Sequence, residues 1–335
     1  MNMLTRIISK KRLVLLYVFC SLAMADLAAQ KVNGVVDFDF YFDNREFFTS
    51  YAPHYTVFGT RVAPGVHLTG KENHELRLGL WYQKKFGDLT NDEIPAFFGS
   101  YLFHNQNFDM ELGFIPRKKI NMHRFLLNDT LYYIRPYLQG MSFFINQKHL
   151  SQELWLDWIS AQTDTIRESF MIGNTGDWYA NSFFVHHEFL MIHHALPANP
   201  AHDDHIRDNF GGMITLGYQI NKSTMWDSLS IETGGMFSID RLRSVYDWQT
   251  PGGLYMAASY RKAGIGIDLS HYQGSKHQLL YGDRFYTANR YTRGDISYHL
   301  FRKANLHGEI KLSFHLLPEG LDFAQSFRLF YAFKK

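Results

Sequence analysis

Apolar and polar residues alternate with a period of two along much of this chain, and this feature constrains its fold more than any other. Residues 36–43 read VDFDFYFD, with an apolar residue at every even position and Asp at three of the four odd positions. Residues 306–316, LHGEIKLSFHL, repeat the pattern. Successive side chains of a β-strand point to opposite faces, so the alternation predicts strands that separate an apolar from a polar environment.

The lengths of the connections distinguish between β-folds. The predicted strands lie near residues 32–43, 55–69, 74–86, 94–104, 107–116, 134–146, 150–161, 167–174, 178–191, 209–220, 228–240, 252–261, 264–273, 293–302, 305–316 and 321–334. Short turns at 70–73, 105–106, 147–149, 174–177, 262–263 and 303–304, with a looser one at 221–227, alternate with mostly long connections, notably 44–54, 117–133, 192–208, 241–251 and 274–292. Outer-membrane barrels combine short periplasmic turns with long extracellular loops, whereas a soluble sandwich has no reason to do so. The rhythm predicts a closed antiparallel transmembrane β-barrel of about 16 strands, with 14 or 18 as alternatives.

The N-terminal residues 1–29 have the features of a secretory signal peptide. Four basic residues precede the apolar run Leu13–Ala25, which is shorter than the roughly 20 residues of a membrane-spanning helix. Small residues before Gln30 predict cleavage there, leaving the barrel as residues 30–335 in the bacterial outer membrane. The only cysteine, Cys20, lies in the predicted signal, so disulfide and thiolate chemistry are not expected of the mature chain.

Composition agrees with a membrane barrel. The chain has 29 Phe, 20 Tyr and 6 Trp, yet no long apolar run follows the signal. A transmembrane barrel places such aromatic residues on its outer wall and polar residues in its lumen. The 34 basic and 32 acidic residues nearly balance, so we expect no nucleic-acid partner. The expected partners are outer-membrane lipid and small hydrophilic solutes, with a homo-oligomer or a larger envelope complex left open.

Three segments carry a resemblance to a known family. They are FDFYFDNREFF at 38–48, FIPRK at 114–118 and LWLDW at 154–158. With these segments the chain resembles an uncharacterised, porin-like outer-membrane β-barrel family of the Bacteroidetes type. The last strand also ends on an aromatic residue, Phe333, as outer-membrane barrels do, although two lysines follow it. The resemblance implies the barrel fold and carries no activity or cofactor.

No enzymatic motif stands out in the sequence. There is no Gly-x-Ser-x-Gly elbow and no phosphate-binding loop. The loop at 192–208 offers weak candidates for a metal site in His202, Asp203, Asp204 and His205, but a solvated polar loop is the preferred explanation and no metal site is predicted. We therefore expect no enzyme and no cofactor, with a barrel-borne lipid hydrolase as an alternative.

The predicted lumen carries the functional hypothesis. The third long loop contains a basic run followed by the apolar residues 125–127, which predicts that it folds inward and narrows the channel. The predicted pore-lining or constriction residues are Arg117, Lys118, Lys119, Arg124, Asp109, Glu111, Arg61, Arg77, Asp37, Asp39, Glu309, Lys311 and Arg328. Barrels of about 16 strands leave an aqueous channel, which favours passage of small hydrophilic solutes. A plugged, salt-bridged barrel that serves as a subunit of a transport or assembly complex is the alternative.

Overall fold

The computed structural model describes residues 31–70, 73–88, 94–201, 203–221 and 225–334. The predicted signal peptide, His202 and Lys335 lie outside these ranges, as do parts of three connections, at 71–72, 89–93 and 222–224.

Long antiparallel strands make up most of the described chain. They are β1 (Lys31–Glu46), β2 (Tyr55–Thr69), β3 (His74–Lys85), β4 (Ala96–His104), β5 (Phe108–Pro116), β6 (Tyr137–Gln147), β7 (Leu150–Ser160), β8 (Ser169–Ala180), β9 (Phe183–His194), β10 (Arg207–Asn221), β11 (Ser228–Leu242), β12 (Tyr246–Gln249), β13 (Gly252–Lys262), β14 (Ile265–Gly274), β15 (Arg290–Lys303), β16 (Leu306–Leu317) and β17 (Gly320–Lys334). One helical turn, α1 (Leu131–Ile134), and two 3₁₀ turns, Arg117–Lys119 and Arg284–Thr287, lie in the connections. No helix in the described ranges has the length and apolar character needed to cross a bilayer.

Sixteen of these strands close into a barrel. Each pairs with its neighbours in sequence, and β1 pairs with β17 to close the seam. The short β12 pairs only with β11 and extends one connection beyond the barrel. The prediction of a closed antiparallel barrel of sixteen strands is confirmed. Closure matters because an open sheet edge in lipid would leave backbone N–H and C=O groups without hydrogen-bond partners.

Both chain ends lie at the end of the barrel that carries the short turns. We take this end as periplasmic, as in other outer-membrane barrels, and the opposite end as extracellular. The predicted turn at 174–177 is wrong, because those residues belong to β8 and the chain reverses at 181–182. Asn181 adopts a positive φ of 57° there, a conformation that Asn tolerates better than most residues. Gly176 suggested a turn, but it lies inside the strand beside the side chains of Gln152 and His187.

Side-chain exposure follows the predicted alternation. Leu312 and Phe314 on β16 are 40% and 41% exposed, whereas Ser313 between them is 3% exposed. On β1, Asp39 is 5% exposed and its even-numbered neighbour Phe40 packs edge-on against Phe58 on the outer wall. The exposed apolar residues form the surface that faces lipid, and the buried polar residues face the lumen.

Two of the extracellular connections turn into the barrel. The segment 117–136, here called the plug, carries Phe125 and Leu126, both fully buried. It is joined to the connection 275–289 by backbone hydrogen bonds from Asn128 to Tyr281 (2.6 Å) and from Asp283 to Arg124 (2.8 Å). Inward side chains of the wall complete one apolar cluster with the plug, including Ile115, Leu138, Trp155, Met171, Leu190, Met213, Met236, Tyr255 and Tyr291. The extracellular half of the lumen therefore contains a packed core.

The two faces of the barrel wall predict different tolerance to charge. Leu312→Arg, midway along β16, should reduce the free energy of unfolding by about 2–4 kcal/mol, the cost of Arg on the lipid face near the bilayer midplane. Glu153→Arg is the matched control, because Glu153 lines an internal cavity beside the carboxylates of Asp109 and Asp177. Reversible urea unfolding in lipid vesicles measures both. Equal losses for the two variants would contradict the assignment of the faces.

Candidate functional site

Asp157 on β7 fastens both ends of the plug to the barrel wall. Its carboxylate is fully buried and forms a very short ion pair with Arg117, at the start of the plug. Its second oxygen lies 3.4 Å from the guanidinium of Arg135, at the end of the plug, and accepts a hydrogen bond from the Gln139 backbone N–H at 3.0 Å. Arg117 also donates to the Arg135 carbonyl oxygen at 2.7 Å. The plug is thus a closed loop held at its neck by one carboxylate.

The tip of the plug packs against the opposite wall. A Cβ atom on Gly211 of β10 would come within 2.7 Å of Leu126, so the absence of a side chain there allows the close approach. His123 is held in place by three contacts. Its backbone N–H donates to Glu188 at 2.6 Å, its Nδ1 accepts from the Phe125 N–H at 3.1 Å, and its Nε2 lies 3.2 Å from the Tyr255 hydroxyl. Burial lowers the pKa of His123 to about 3, which keeps the imidazole neutral and able to accept at Nδ1.

Helix α1 connects the plug to the two strands of the barrel seam. The Tyr133 hydroxyl donates to Asp43 of β1 at 3.0 Å and accepts from Arg328 of β17 at 2.8 Å. Tyr132 donates a very short hydrogen bond to Asp39 of β1. Because β1 and β17 are the first and last strands, these side chains bridge the seam from inside.

A cavity of about 390 Å³, here called the upper cavity, lies between the plug and the wall formed by β1, β15, β16 and β17. Its lining begins at Ala52 and Pro53 in the first extracellular connection and reaches Arg328 inside the lumen. Five arginine or lysine side chains and three aspartates line it: Arg45, Arg284, Arg293, Lys311 and Arg328, against Asp43, Asp129 and Asp283. The upper cavity therefore carries an excess of positive charge.

Most of these charges are paired, but Lys311, Arg328 and the exposed Arg284 form no ion pair with a described residue. Arg45 lies 2.8 Å from Asp43 and 2.9 Å from Asp129, and Arg293 lies 2.9 Å from Asp295. Lys311 forms no ion pair or hydrogen bond with any described residue. Arg328 contacts only aromatic partners among them, with its guanidinium 4.6 Å from the centre of the Tyr132 ring, and its Nε atom is buried without a hydrogen-bond partner. Lys311 and Arg328 are partly buried and form no ion pair with a described residue, which favours an anion beside them.

Asp129 balances part of this charge. Burial opposes its ionisation, but Arg45 and Arg124 outweigh that effect and hold its pKa well below the usual range. Its carboxylate is therefore charged at neutral pH and occupies one side of the cavity, opposite Lys311 and Arg328.

The upper cavity adjoins the rest of the lumen. A lower cavity of about 490 Å³ shares Asn128, Asp129 and Arg328 with it, and its lining includes Glu232, four residues from the periplasmic end of β11. A side cavity of about 460 Å³ shares Asn121 and His186 with the lower one. Its lining is acidic, with Asp109, Glu111, Glu153 and Asp177 against Lys119. The three cavities form a series past the plug, with Asp129 and Arg328 at the junction of the first two.

The basic run of the plug, predicted from sequence to lie at the pore, is largely ion-paired. Arg117 is buried against Asp157, and Lys119 lies 2.5 Å from Glu111. Lys118 lies 3.8 Å from Asp37 and 3.2 Å from the centre of the Phe330 ring. Arg124 lies 3.6 Å from Asp129 and 4.0 Å from Asp295. Arg117, Lys118 and Lys119 therefore fasten the plug to the wall. Arg124 is the member of the run that pairs with Asp129, which lines both the upper and the lower cavity.

The remaining predicted lumen residues also lie inside the barrel, mostly in pairs. Arg61 lies 3.2 Å from Asp39, and Arg77 lies 2.5 Å from Glu75 and 3.4 Å from Glu111. Asp109 makes a very short contact with His104, and Glu309 lies 3.4 Å from His299. Lys311 and Arg328 are the predicted residues without a carboxylate partner in the described parts of the chain.

Several residues of the site were not predicted from sequence, namely Arg45, Asp129, Tyr132, Tyr133 and Arg293. The inward facing of Arg45 and Arg293 could have been predicted from strand parity. Arg45 shares a face of β1 with Asp39, and Arg293 faces the lumen between the outward residues of β15. The other three lie in a connection, where alternation gives no facing.

The weak metal candidates of the connection 195–206 are not brought together in the described chain. Asp204 forms a very short ion pair with Arg167 and accepts from the Ala201 N–H at 2.8 Å. His202 lies outside the described residues, and the described ones form no cluster of metal ligands in this connection.

The outer wall carries one pair of chemical interest. The Nδ1 atom of His271 on β14 lies 2.7 Å from the hydroxyl of Thr292 on β15. The next outward side chains along the two strands are Leu269 on β14 and, beyond Gly294, Ile296 on β15. They are 54% and 47% exposed, which places the pair on the lipid-facing surface. Thr292 lies two residues from the extracellular end of β15.

A family model described as lipid A 3′-O-deacylase-type matches residues 28–335. No curated protein matches the chain at a significant level. Solved structures with the same fold include an outer membrane protein of Vibrio cholerae, the loop-deleted OmpT, with 9% identity, a TM-score of 0.55, and coverage of 91% of this chain and 100% of that one. OccAB1 of Acinetobacter baumannii has 10% identity, a TM-score of 0.53, and coverage of 90% and 96%. The outer membrane protein OprD of Pseudomonas aeruginosa has 10% identity, a TM-score of 0.52, and coverage of 92% and 96%.

The neck of the plug yields a stability prediction. Asp157→Asn should reduce the free energy of unfolding by about 3–5 kcal/mol, because it leaves Arg117 buried without a counter-charge. Asp268→Asn on β14 is the matched control, since its partner Arg261 is about one-third exposed and such pairs contribute about 0–1 kcal/mol. Urea unfolding measures the difference, and limited proteolysis of the folded variant should cut within 117–136. A loss no larger than that of Asp268→Asn would show that Asp157 does not hold the plug.

Proposed function

Since this chain belongs to the lipid A 3′-O-deacylase-type family and folds as a sixteen-stranded barrel, its function lies either in the lumen or on the outer wall, and we propose that it is a narrow outer-membrane channel for small anionic solutes. The observation that carries the proposal is a pair of partly buried cations without an ion pair, Lys311 and Arg328, in the upper cavity. A barrel of this strand number has room for an aqueous path, and the plug narrows that path without occupying all of it.

Electrostatics supports an anion over a cation. A buried charge is costly unless it is paired, so Lys311 and Arg328 gain most from a carboxylate, phosphate or sulfate group that replaces lost solvation. Ser313 and Ser326 also line the upper cavity, and their hydroxyl groups are suitable donors to such an anion. The low-dielectric wall strengthens the field that a passing ion experiences.

The size of the path restricts the solute. The upper cavity of about 390 Å³ is at the lower end of the range for small-molecule sites, and its junction with the lower cavity lies between Asp129 and Arg328. A solute that moves between the two cavities therefore passes a negative and a positive side chain. This arrangement supports selection for small anions rather than free diffusion of large solutes.

Charge reversal at Lys311 tests the proposal. In planar bilayers with a salt gradient, Lys311→Glu should shift the reversal potential toward cation selectivity and lower the anion-to-cation permeability ratio by about threefold or more. The shift should shrink at 1 M salt, where the Debye length is about 3 Å. Lys148→Glu, on an exposed periplasmic turn, is the control and should change little.

Three outcomes would overturn the proposal of an anion-selective channel. They are a purified wild-type barrel without conductance, a conducting Lys311→Glu variant with an unaltered reversal potential, and an equal shift in Lys148→Glu. Lys119→Glu separates the roles of the basic residues. If Lys119 only fastens the plug through Glu111, its reversal should raise total conductance by loosening the plug, with a smaller change in selectivity than Lys311→Glu.

A second candidate function rests on His271 and Thr292. The hydrogen bond between them is the arrangement of a hydroxyl nucleophile and its general base. In this reaction the Thr292 hydroxyl attacks the carbonyl carbon of an acyl ester and passes its proton to His271. The imidazole then returns the proton to the alcohol that leaves, and water hydrolyses the acyl–Thr ester to a free fatty acid. The lipid-facing position and the family membership make the ester-linked acyl chains of lipid A the expected substrate.

Mass spectrometry of lipid A tests this candidate. Cells that express the wild type should lose one ester-linked acyl chain from lipid A, and His271→Ala or Thr292→Val should abolish the loss, whereas Thr292→Ser should retain activity. His187→Ala is the control, because His187 is another half-buried wall histidine, hydrogen-bonded to Asn174 at 3.2 Å. Unchanged lipid A in the wild type, or activity that survives in Thr292→Val, would exclude the pair as a hydrolase.

A further inference from the structure

Two histidines and a glutamate meet in the lumen near the periplasmic mouth, and the glutamate is the cross-strand partner of Arg328, which lines the upper cavity. They are His299 on β15 and His307 and Glu309 on β16. One potential ligand atom from each residue lies within 4.8 Å of the other two. We propose that these three side chains bind a divalent transition-metal ion such as Zn²⁺.

Strand register builds the cluster. His299 and Glu309 are direct cross-strand partners, and His307 precedes Glu309 by two positions on the same face of β16. Tyr298 precedes His299 and Ile310 follows Glu309, and these two residues are 49% and 43% exposed on the lipid side. The three potential ligands, which occupy the alternate positions, therefore point inward. A bulge between His299 and Phe301 alters the register there, and the rings of His299 and His307 approach to 5.2 Å.

The distances fit a metal better than a hydrogen bond. His299 Nδ1 lies 3.4 Å from Glu309 Oε2, yet this buried nitrogen has no hydrogen-bond partner of acceptable geometry. In a tetrahedral zinc site with ligand bonds of about 2.0–2.1 Å, two ligand atoms lie about 3.3–3.4 Å apart. The pair is thus spaced as two ligands of one ion, and a small rotation of His307 completes the set.

The ligand types select the class of ion. Two imidazoles and one carboxylate suit Zn²⁺, Ni²⁺, Cu²⁺ or Fe²⁺, whereas Mg²⁺ and Ca²⁺ prefer oxygen ligands throughout. Three protein ligands leave at least one coordination position for water or a solute. His307 is exposed and lies two residues from the periplasmic turn at 304–305, so an ion reaches the cluster from the periplasm.

Metal binding by tag-free, folded barrel tests the proposal. Equilibrium dialysis with Zn²⁺ alone should give one site that is at least tenfold tighter than any other, and Co²⁺ should produce a visible absorption band of a site with nitrogen and oxygen ligands. His299→Ala, His307→Ala and Glu309→Gln should each weaken this site at least tenfold and reduce the cobalt band. His104→Ala is the matched control. His104 also pairs with a carboxylate at the periplasmic end, but among the described residues this pair belongs to no group of three potential metal ligands.

Each outcome decides the question. The proposal is overturned if the wild type binds no more Zn²⁺ than a variant that combines His299→Ala, His307→Ala and Glu309→Gln. It is also overturned if His104→Ala loses as much affinity as His307→Ala. Heat-dependent gel mobility checks that every variant is folded, and His307→Gln, which keeps the side-chain size, replaces any variant that is not. Binding is measured without conductance or lipid, so its result is independent of the two functions proposed above.

Discussion

The ion pair between Arg117 and Asp157 is the interaction on which the interior of this barrel depends. A strand of the wall supplies the carboxylate, and the first residue of the plug supplies the guanidinium, so the two are joined where the chain leaves the wall. Arg135 uses the same carboxylate at the return point. With its neck fixed, the plug places Phe125 and Leu126 in the apolar cluster and α1 against the seam. The upper cavity is the space that this placement leaves.

The pairing of charges explains why a polar interior is both rigid and selective. Most inward arginines have a carboxylate within hydrogen-bond distance, as Arg45, Arg61 and Arg293 do. Such pairs contribute little net charge to the path and mainly fix geometry. Lys311 and Arg328 differ because neither forms an ion pair with a described residue, although Asp129 lines the same cavity. The chemical character of the path therefore depends on the two unpaired cations and not on the total number of charges in the lumen.

The sequence allowed the barrel to be predicted because its two solvents, lipid and water, impose a period of two on every strand. The period of two also predicted which side chains face lipid and which face the lumen, as for Leu312 and Ser313. The number of alternating segments predicted the sixteen strands. The turn in 174–177 was misplaced because glycine weakens the alternation of β8 without ending the strand. The inward fold of the third loop was predicted from its apolar run, but the partners of its basic residues were not. Those partners, such as Asp157 for Arg117, lie 40 residues away and depend on tertiary contacts.

Tyr133 has a consequence for how the molecule is assembled. Its hydroxyl binds Asp43 on the first strand and Arg328 on the last, which are nearly 300 positions apart in the chain and meet only when the cylinder shuts. These two hydrogen bonds therefore form only when both edges are in place, so they stabilise the closed cylinder and not an open sheet. Closure of the seam and docking of the segment that carries Tyr133 are thereby coupled, because each positions a partner that the other requires.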